Sequence, residues 1–557
     1  MILCNRGVAD FDVIANMRYS EKTDYYGRPA GGIFRLPHTR QAEAFYADLL
    51  EVMGGVRLGS SDAPRLLERS SGEDRIEIYY GVSECEETKQ ILDDTELNEY
   101  GYCVKGKKIF IYGHIMQHLS WAGDRFFRDL RKGVVVHEDF VRSYSIGDDA
   151  EKRLSAEPLA IMEIPKPRFG GKLLTCDDGI YEDARMYVVS ECALEDYNAY
   201  IGELENDGFA LYDSNDMRGN LSATYTKGDI TVDAWYTKDG YVRITACRGF
   251  ALSPKEKRPY EKVTTPSMHL IGHCAPGQGD GGQMLYYFQL SDGRFVIIDA
   301  GSHRGLIDVL MSELRSKALD PENIVVACWL FTHTHGDHTQ ALGGLSDNFH
   351  KYKDILTVES FMYNFPGNEQ AIVPWQGVYG GDWVSGIINS RFPNATKYKV
   401  HPGNKAWFAD MHIEVISTHE SFVYMEYPNN TNACNTFFKL TIAGQVIMIP
   451  GDTSDFDQGK LVELYGDYLK CDILQAPHHG GHGSGTVEVS KLYAPQFVVF
   501  SHTRNTYMGD ASYFFNQEYN QWLINSEKNP NFKEFVLIDH DIFDLPLPYT
   551  HGCVTKK

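Results

Sequence analysis

Residues 333–338 contain the side chains with the clearest chemistry in this chain: His333, His335, Asp337 and His338. The apolar run before them, residues 324–330, is short and bounded, which predicts a buried strand. A loop at the end of a strand can direct several short side chains at one point. Because converging imidazoles and a carboxylate bind borderline metals such as Zn²⁺, the pattern predicts a metal centre rather than a histidine-rich surface loop.

The spacing H-x-H-x-D-H resembles the metal signature of the metallo-β-lactamase superfamily. The resemblance implies a dinuclear centre with His333 and His335 on one ion, and Asp337 and His338 on a second. Asp337 would also orient the attacking hydroxide. The expected cofactors are two divalent metal ions, with zinc favoured and manganese or iron also compatible with such ligands.

Two later segments supply further predicted ligands. Residues 445–449 are an apolar strand that runs into a Pro-Gly-Asp turn, and Asp452 matches the family's Gly-Asp motif for a bridging carboxylate. Residues 472–477 lead into His478, His479 and a glycine. Since the family usually places glycine directly after the ligand, His479 is the predicted ligand and His478 a catalytic contact to the substrate. The reverse assignment is the alternative.

Asp299 and His419 are the next candidates. Asp299 follows a predicted strand, and in the superfamily an aspartate here supports the metal-binding loop from behind the ligands. His419 is the one candidate for the usual third histidine of the first ion. However, residues 432–438 resemble a branch in which asparagine and serine or threonine replace that histidine motif. The branch includes competence-type domains of DNA-uptake channel proteins and bacterial phosphorylcholine esterases.

Three further residues are candidate substrate contacts. Asn432 lies in the segment that resembles this branch, and His502 and Arg504 follow an apolar strand whose end also has that branch's shape. Upstream, residues 277–282 satisfy G-x-G-x-x-G, but they lead into a strand instead of a helix, which argues against a dinucleotide site. We expect these glycines to form a loop at the rim of the metal cleft.

The fold class expected for the chain is multidomain, combining α/β and α+β domains. Residues 263–557 should form a C-terminal αββα metallo-β-lactamase sandwich, preceded by two small domains. For residues 1–134 the alternation of strand and helix patterns predicts an accessory α/β domain. Its helices are expected at 41–53, 84–92 and 118–130, and a hairpin at 101–112. Its strand motifs, at 76–81, 99–102 and 108–113, resemble the small domain that precedes catalytic domains in bacterial glycoside hydrolases. Residues 135–180 read as a connector. Residues 181–262 are expected to form a small ferredoxin-like α+β domain, with a helix at 194–206 and strands at 186–189, 223–227, 230–236 and 241–247.

Composition restricts the partners and the compartment. The formal net charge of −23 repels polyanions, which argues against a nucleic-acid polymer and favours a small or headgroup-sized substrate. The 11 dispersed cysteines without a C-x-x-C pair favour a reducing cytoplasm. No apolar run is long enough to span a bilayer, and no signal peptide is recognisable. The middle domain is a candidate for homo-oligomer formation.

The function expected from these features is metal-dependent hydrolysis. The resemblance implies a metal-bridging hydroxide acting on a phosphodiester or another small anionic ester. Two alternatives remain open at this point. The same site would also suit a carboxyl ester, a lactone or an amide, and a binding protein with a vestigial metal centre is the alternative without catalysis.

Overall fold

The computed structural model describes residues 191–557, with gaps at 250, 366–380, 422–431, 433–434, 454, 482–484 and 505–516. Before residue 191 it describes residues 164, 165 and 167 and seven strands. The three helices predicted for the first domain lie outside the described residues. No helix in the described part of the chain is long and apolar enough to cross a bilayer.

The first five strands form a mixed sheet in a compact unit of their own. The strands are β1 (Arg18–Tyr19), β2 (Gly31–Leu36), β3 (Ile76–Gly81), β4 (Tyr102–Lys105) and β5 (Lys108–Tyr112). The order is β1-β2-β3-β5-β4, and only the β3–β5 pair is parallel. The predicted hairpin strands are present, since β4 and β5 pair antiparallel with Lys105 opposite Lys108.

A six-stranded antiparallel sheet with one helix follows in the second unit. Its elements are β6 (Leu173–Asp177), β7 (Arg185–Val189), α1 (Leu194–Asn206), β8 (Ala210–Met217), β9 (Asn220–Lys227), β10 (Ile230–Thr237) and β11 (Tyr241–Arg248). The helix and four of the strands, β7, β9, β10 and β11, were expected. The described elements differ from a ferredoxin-like domain, because β6 lies within the predicted connector and β8 adds a strand that was not predicted. The β8 sequence is rich in Asp and Asn, which disfavour strands.

The remaining strands form two further sheets. They are β12 (Ser267–Ile271), β13 (Tyr286–Gln289), β14 (Phe295–Ile298), β15 (Ile324–Leu330), β16 (Leu356–Val358), β17 (Ser360–Tyr363), β18 (Thr396–Lys399), β19 (Lys405–Phe408), β20 (Met411–Ser417), β21 (Phe437–Ile442), β22 (Gln445–Ile449), β23 (Ile473–Gln475), β24 (Phe497–Phe500), β25 (Glu534–Leu537), β26 (Ile542–Pro546) and β27 (Thr555–Lys556). One sheet has the order β18-β17-β15-β14-β13-β12-β26-β27, with β16 beside β15, and the other runs from β19 to β25 in sequence order.

Helices cover the outer faces of this pair of sheets. They are α2 (Leu306–Lys317), α3 (Gly336–Asp347), α4 (Phe349–Tyr352), α5 (Gly381–Arg391), α6 (Asp455–Tyr465), α7 (Val487–Tyr493) and α8 (Glu518–Leu523). One apolar core joins the sheets, through residues such as Phe288, Leu330 and Phe438. A second core packs α2, α3 and α5 on the first sheet, and a third packs α6 to α8 on the other. This is the αββα layering expected for the C-terminal region.

Parallel strands determine where chemistry can be assembled. In the first sheet β14 and β15 are parallel neighbours, and in the second β22, β23 and β24 are consecutive parallel strands. Their buried, β-branched and aromatic residues match strands that are covered on both faces. Because parallel strands end at the same edge of a sheet, the loops after all five strands are available to form one site.

Candidate metal centre

The predicted ligands form two groups that share one carboxylate. In the first group the donor atoms of His333, His335 and Asp452 all lie within 4.8 Å of one another. In the second, the donor atoms of Asp337, His338, Asp452 and His479 meet the same limit. Asp452 belongs to both groups, which is the arrangement expected of a bridging residue.

Distances around Asp452 show how tightly the donors converge. Its Oδ2 atom lies 3.7 Å from Nε2 of His333 and 3.5 Å from Nε2 of His479. Its Oδ1 atom lies 3.2 Å from Nε2 of His338. Nε2 of His479 also lies 3.3 Å from Oδ2 of Asp337. The four side chains thus direct their donor atoms at one small region around Asp452, as the ligands of a bound cation do.

Asp299 supports the centre from the adjacent strand end. Its Oδ2 atom accepts hydrogen bonds from Nδ1 of His338 and from the Thr332 hydroxyl, each at 2.7 Å. Its Oδ1 atom accepts from the Thr332 backbone N–H at 2.7 Å. The bond to Nδ1 fixes the ring so that Nε2 of His338 faces Asp452. Asp299 itself adopts φ of 54°, a left-handed conformation that these bonds stabilise.

The double histidine occupies a strained turn after β23. His478 and His479 have φ of 47° and 58°, and the following Gly480 has φ of 85°. The turn is held by Asn520, whose side-chain amide donates to Gly480 O at 2.7 Å, and by His478 N–H, which donates to Gly451 O at 2.9 Å. This conformation directs the two imidazoles differently.

His479 joins the second donor group, whereas His478 lies beside it. Nε2 of His478 is 3.9 Å from Oδ2 of Asp452 and accepts a hydrogen bond from the Asn432 amide at 3.4 Å. The His478 side chain is 35% exposed and that of His479 only 4%. The geometry therefore places His478 on the open side of the centre.

The other candidates occupy different positions. His419 is buried and hydrogen-bonds Asn364 Oδ1 through Nε2 at 3.0 Å, and it is in neither donor group. His502 packs near His479, with ring centroids 6.3 Å apart. The Arg504 side chain is 68% exposed, with Nε 4.0 Å from Oδ2 of Asp539, so it extends toward solvent.

Burial and neighbouring charges oppose each other at the centre. Burial lowers the pKa of His333 well below its usual value. Burial would also lower the pKa of His338, but Asp452, Asp299 and Asp337 hold it well above its usual value. For His479 burial is likewise outweighed, chiefly by Asp452, and its pKa rises to about 9. The raised pKa values of these two imidazoles thus come from the carboxylates that surround them.

The fit to metal ions rests on buried polar atoms that have no hydrogen-bond partner among the described residues. Both carboxylate oxygens of Asp452 and Nε2 of His333 are buried, and no residue in the described parts of the chain gives them a hydrogen bond. Buried polar atoms are nearly always paired, because an unpaired one loses the hydration it had in water. A cation between the donor groups would pair all three atoms.

Two residues near the centre were not predicted from the sequence. Asn435 accepts the Asp452 N–H at 3.2 Å and donates to Pro450 O at 2.6 Å, so it fixes the turn that carries the shared carboxylate. His273 directly follows β12, and its backbone N–H donates to Asp539 O at 2.8 Å. The resemblance of residues 432–438 to the asparagine-containing branch could have indicated Asn435. A lone histidine after a strand, such as His273, has no sequence pattern that indicates a role.

A Gly-rich loop lies at the centre, as expected. Gly282 pairs with His502 in a β-bridge, and a Cβ on Gly282 would lie 2.7 Å from Cδ2 of His479. Glycine is therefore required where the loop passes the imidazole.

Comparison with known proteins found one family model and several solved structures similar to part of this chain. Residues 279–494 match the sequence model of the Metallo-beta-lactamase superfamily, whereas no curated protein matches the chain. Among solved structures, the chain is similar to the metallo-beta-lactamase fold protein YhfI from Bacillus subtilis, at 12% identity, covering 53% of this chain and 100% of that one, with a TM-score of 0.30. It is also similar to CmlA, a diiron beta-hydroxylase from Streptomyces venezuelae, at 12% identity, covering 52% and 55%, with a TM-score of 0.30. The family match identifies residues 279–494 as a metallo-β-lactamase superfamily domain.

Proposed function

We propose that this domain is a dinuclear metal-dependent hydrolase that acts on a phosphodiester or another small anionic ester. The observation that carries the proposal is the buried Asp452 carboxylate, which belongs to two donor groups and has no hydrogen-bond partner among the described residues. A structural carboxylate in that position would be paired with a hydrogen-bond donor.

In this proposal His333, His335 and Asp452 hold one ion, and Asp337, His338, Asp452 and His479 hold the other. Histidine and carboxylate donors suit zinc, which we favour, and also manganese and iron. When bound, two such ions lower the pKa of a shared water and neutralise charge that develops on the substrate. Three protein donors at the first ion leave room for a substrate oxygen.

The remaining roles belong to residues on the open side. Asp337 is 32% exposed at the side chain and lies at the start of α3, and in this proposal it orients the attacking hydroxide. His478 faces the same opening and would donate a hydrogen bond to a substrate oxygen or the leaving group. Asn432, which donates to His478, would set the orientation of that ring.

The preference for an anionic ester comes from the donor arrangement and from the branch resemblance at residues 432–438. Asn435 lies in this segment and fixes the Asp452 turn, which supports a site built without a third histidine. The net charge of −23 favours a small substrate over a nucleic-acid polymer.

The test compares two ester classes on the same metal-loaded protein. We expect about two ions per chain and turnover of bis-p-nitrophenyl phosphate that exceeds turnover of p-nitrophenyl acetate and of a simple lactone. Asp452→Asn should lose both metal and turnover. Turnover of the acyl substrates alone would replace the phosphodiester assignment, and a protein without bound metal would remove the enzyme assignment.

A further inference from the structure

Gln475 is a buried polar side chain in an otherwise apolar place. It is the last residue of β23, and it lies on the same face of the strand as Ile473, which belongs to the apolar core between the two sheets. Its Oε1 atom has no hydrogen-bond partner among the described residues. Because burying an unpaired polar atom is unfavourable, packing alone would not select a glutamine at this position.

The amide nitrogen of Gln475 contacts both of the turns that carry ligands around Asp452. Nε2 donates to Gly451 O at 3.1 Å, in the turn before Asp452, and to Ala476 O at 2.6 Å, where the double-histidine turn begins. A carboxamide nitrogen has two N–H groups, and these bonds use both. The reverse orientation of the amide would place Oε1 against two carbonyl oxygens, so the contacts also identify the nitrogen. One side chain thus connects the two turns.

The two turns follow neighbouring parallel strands, β22 and β23, and each has its own further support. Asn435 holds the first turn through Pro450 O and the Asp452 N–H. In the second turn His478 and His479 adopt a left-handed conformation, which residues other than glycine keep only where surrounding contacts stabilise it. The position of the second turn relative to the first therefore depends on contacts that connect them.

This connection acts on the spacing between two predicted ligands. Oδ2 of Asp452 and Nε2 of His479 lie 3.5 Å apart, and each residue belongs to a different turn. Asp452 is in both donor groups, whereas His479 is only in the second. A shift of the double-histidine turn would therefore change the second group and leave His333, His335 and Asp452 in place.

We propose that Gln475 is a positioning residue for the second metal ion, because it sets the spacing between Asp452 and His479. The proposal rests on the proposed function, since it assumes an ion in each donor group. A neutral amide suits this role. It holds two carbonyl groups without adding a charge beside the carboxylates and imidazoles of the centre.

The experiment compares Zn²⁺ binding by the wild type and by Gln475→Met, in competition with a chelator. Methionine has a side chain of similar length and no N–H donor. We expect the affinity of the second donor group to fall by about 10- to 100-fold, as for other residues that orient metal ligands, while the affinity of the first group stays near the wild-type value. His335→Ala and His479→Ala each remove a ligand from one group only, so they assign the two binding steps.

Gln289→Met is the matched control. Gln289 is also a buried glutamine at the end of a strand, and its Nε2 donates to a backbone carbonyl, Lys317 O, at 2.8 Å. It pairs with Phe295 at the start of β14, at the opposite end from the metal centre, so this variant should keep both affinities. The metal-free forms of the two variants should unfold at similar urea concentrations, which separates positioning from stability.

If Gln475→Met does not fold, Gln475→Asn takes its place. Asparagine keeps the amide but is shorter by one methylene, so it cannot span both turns, and the same selective loss is expected.

Three results would overturn the positioning role: an unchanged affinity of the second group, an equal fall at both groups, or the same fall in Gln289→Met. A wild type that binds fewer than two ions would instead remove the proposed function, and the positioning role with it.

Discussion

Two buried clusters of histidine and carboxylate lie in the same compact unit, and they differ in how their carboxylates are paired. At the metal centre, the oxygens of Asp452 have no hydrogen-bond partner among the described residues. In the second, which we call the Glu420 cluster (Asp233, Lys399, His401 and Glu420), Glu420 accepts a hydrogen bond from Nδ1 of His401 at 2.7 Å. The Asp452 carboxylate belongs to a set of converging donor atoms, whereas the Glu420 carboxylate is paired with the Lys399 cation of the protein itself.

The Glu420 cluster lies where the six-stranded sheet packs against the sandwich. Lys399 Nζ lies 3.9 Å from Oε1 of Glu420, and Nε2 of His401 lies 3.8 Å from Oδ2 of Asp233 on β10. Trp235, also on β10, stacks on His401 with centroids 5.6 Å apart. These contacts join two sheets, and the cluster is absent from the donor groups found among the described residues.

The comparison teaches that composition does not distinguish a metal centre from a structural ion-pair network. Both clusters are rich in histidine and carboxylate, and both are buried. The two clusters differ in where the carboxylate lies. Asp452 lies at the ends of parallel strands, and Glu420 lies between packed sheets. The comparison predicts that changes to the first cluster affect metal and turnover, and that changes to the second affect stability.

The largest effect is expected from Asp452→Asn. Removing the shared carboxylate charge should lower metal content below about one ion per chain and reduce kcat/KM on the phosphodiester on the order of 10³-fold or more. Metal analysis and steady-state kinetics measure the two effects. A variant that retains both ions and turnover would show that Asp452 is not the shared ligand.

Glu420→Gln should have the opposite profile. It leaves His401 and Lys399 buried without their anionic partner, which should lower the free energy of unfolding by about 3 kcal/mol. Metal content should stay at the wild-type value. Urea denaturation of the metal-loaded protein measures the change, and Glu359→Gln is the matched control, because Glu359 forms an exposed ion pair with Arg294 that should contribute less than about 1 kcal/mol. Loss of metal in Glu420→Gln would end the distinction between the clusters.

Asp299→Asn tests the support of His338. Weakening the hydrogen bond to Nδ1 should lower metal affinity by about 10- to 100-fold, measured by competition with a chelator. Asp544→Asn is the control, since Asp544 accepts from Nδ1 of His269 at 2.6 Å, away from both donor groups. Equal effects of the two substitutions on metal affinity would contradict the role of Asp299.

Acid should reduce the contribution of Glu420 to the free energy of unfolding. Burial alone would raise the pKa of Glu420, but His401 and Lys399 hold it well below its usual value. The unfolded chain, where the pKa is about 4.3, then binds more protons than the folded chain. The stabilisation by Glu420 is therefore complete above that value and is lost as pH falls below it.

The measurement uses metal-free protein, unfolded with urea between pH 6 and pH 3. The difference in unfolding free energy between wild type and Glu420→Gln should shrink over the acidic half of this range. A difference that stays constant across the range would contradict a depressed pKa at Glu420.

Much of the site was predictable because its signals are local. The H-x-H-x-D-H spacing, the Gly-Asp turn and the double histidine each follow a recognisable strand, and the parallel strands bring their ends together. Helix α1 was predicted at its observed bounds, since Asp207 and Gly208 mark its end. The β4–β5 hairpin was likewise predicted from a local signal, the Lys-Gly pair between its two strands.

The parts that were missed depend on partners far along the chain. His273 gains its setting from Asp539, and Asn435 gains its role from the turn at Asp452. Strand β8 was missed for a different reason: its sequence is polar, and its pairing with the adjacent β9 holds it in the sheet. Arg504 stays a predicted substrate contact; its side chain is exposed, with Nε 4.0 Å from Oδ2 of Asp539.

The central claim is that Asp452 is shared by two metal ions, and anomalous X-ray diffraction from metal-loaded crystals tests it most directly. We expect two anomalous peaks roughly 3.5–4 Å apart on either side of Asp452. One peak should be bound by His333 and His335, and the other by Asp337, His338 and His479. A single peak, or two peaks of which only one contacts Asp452, would contradict the account.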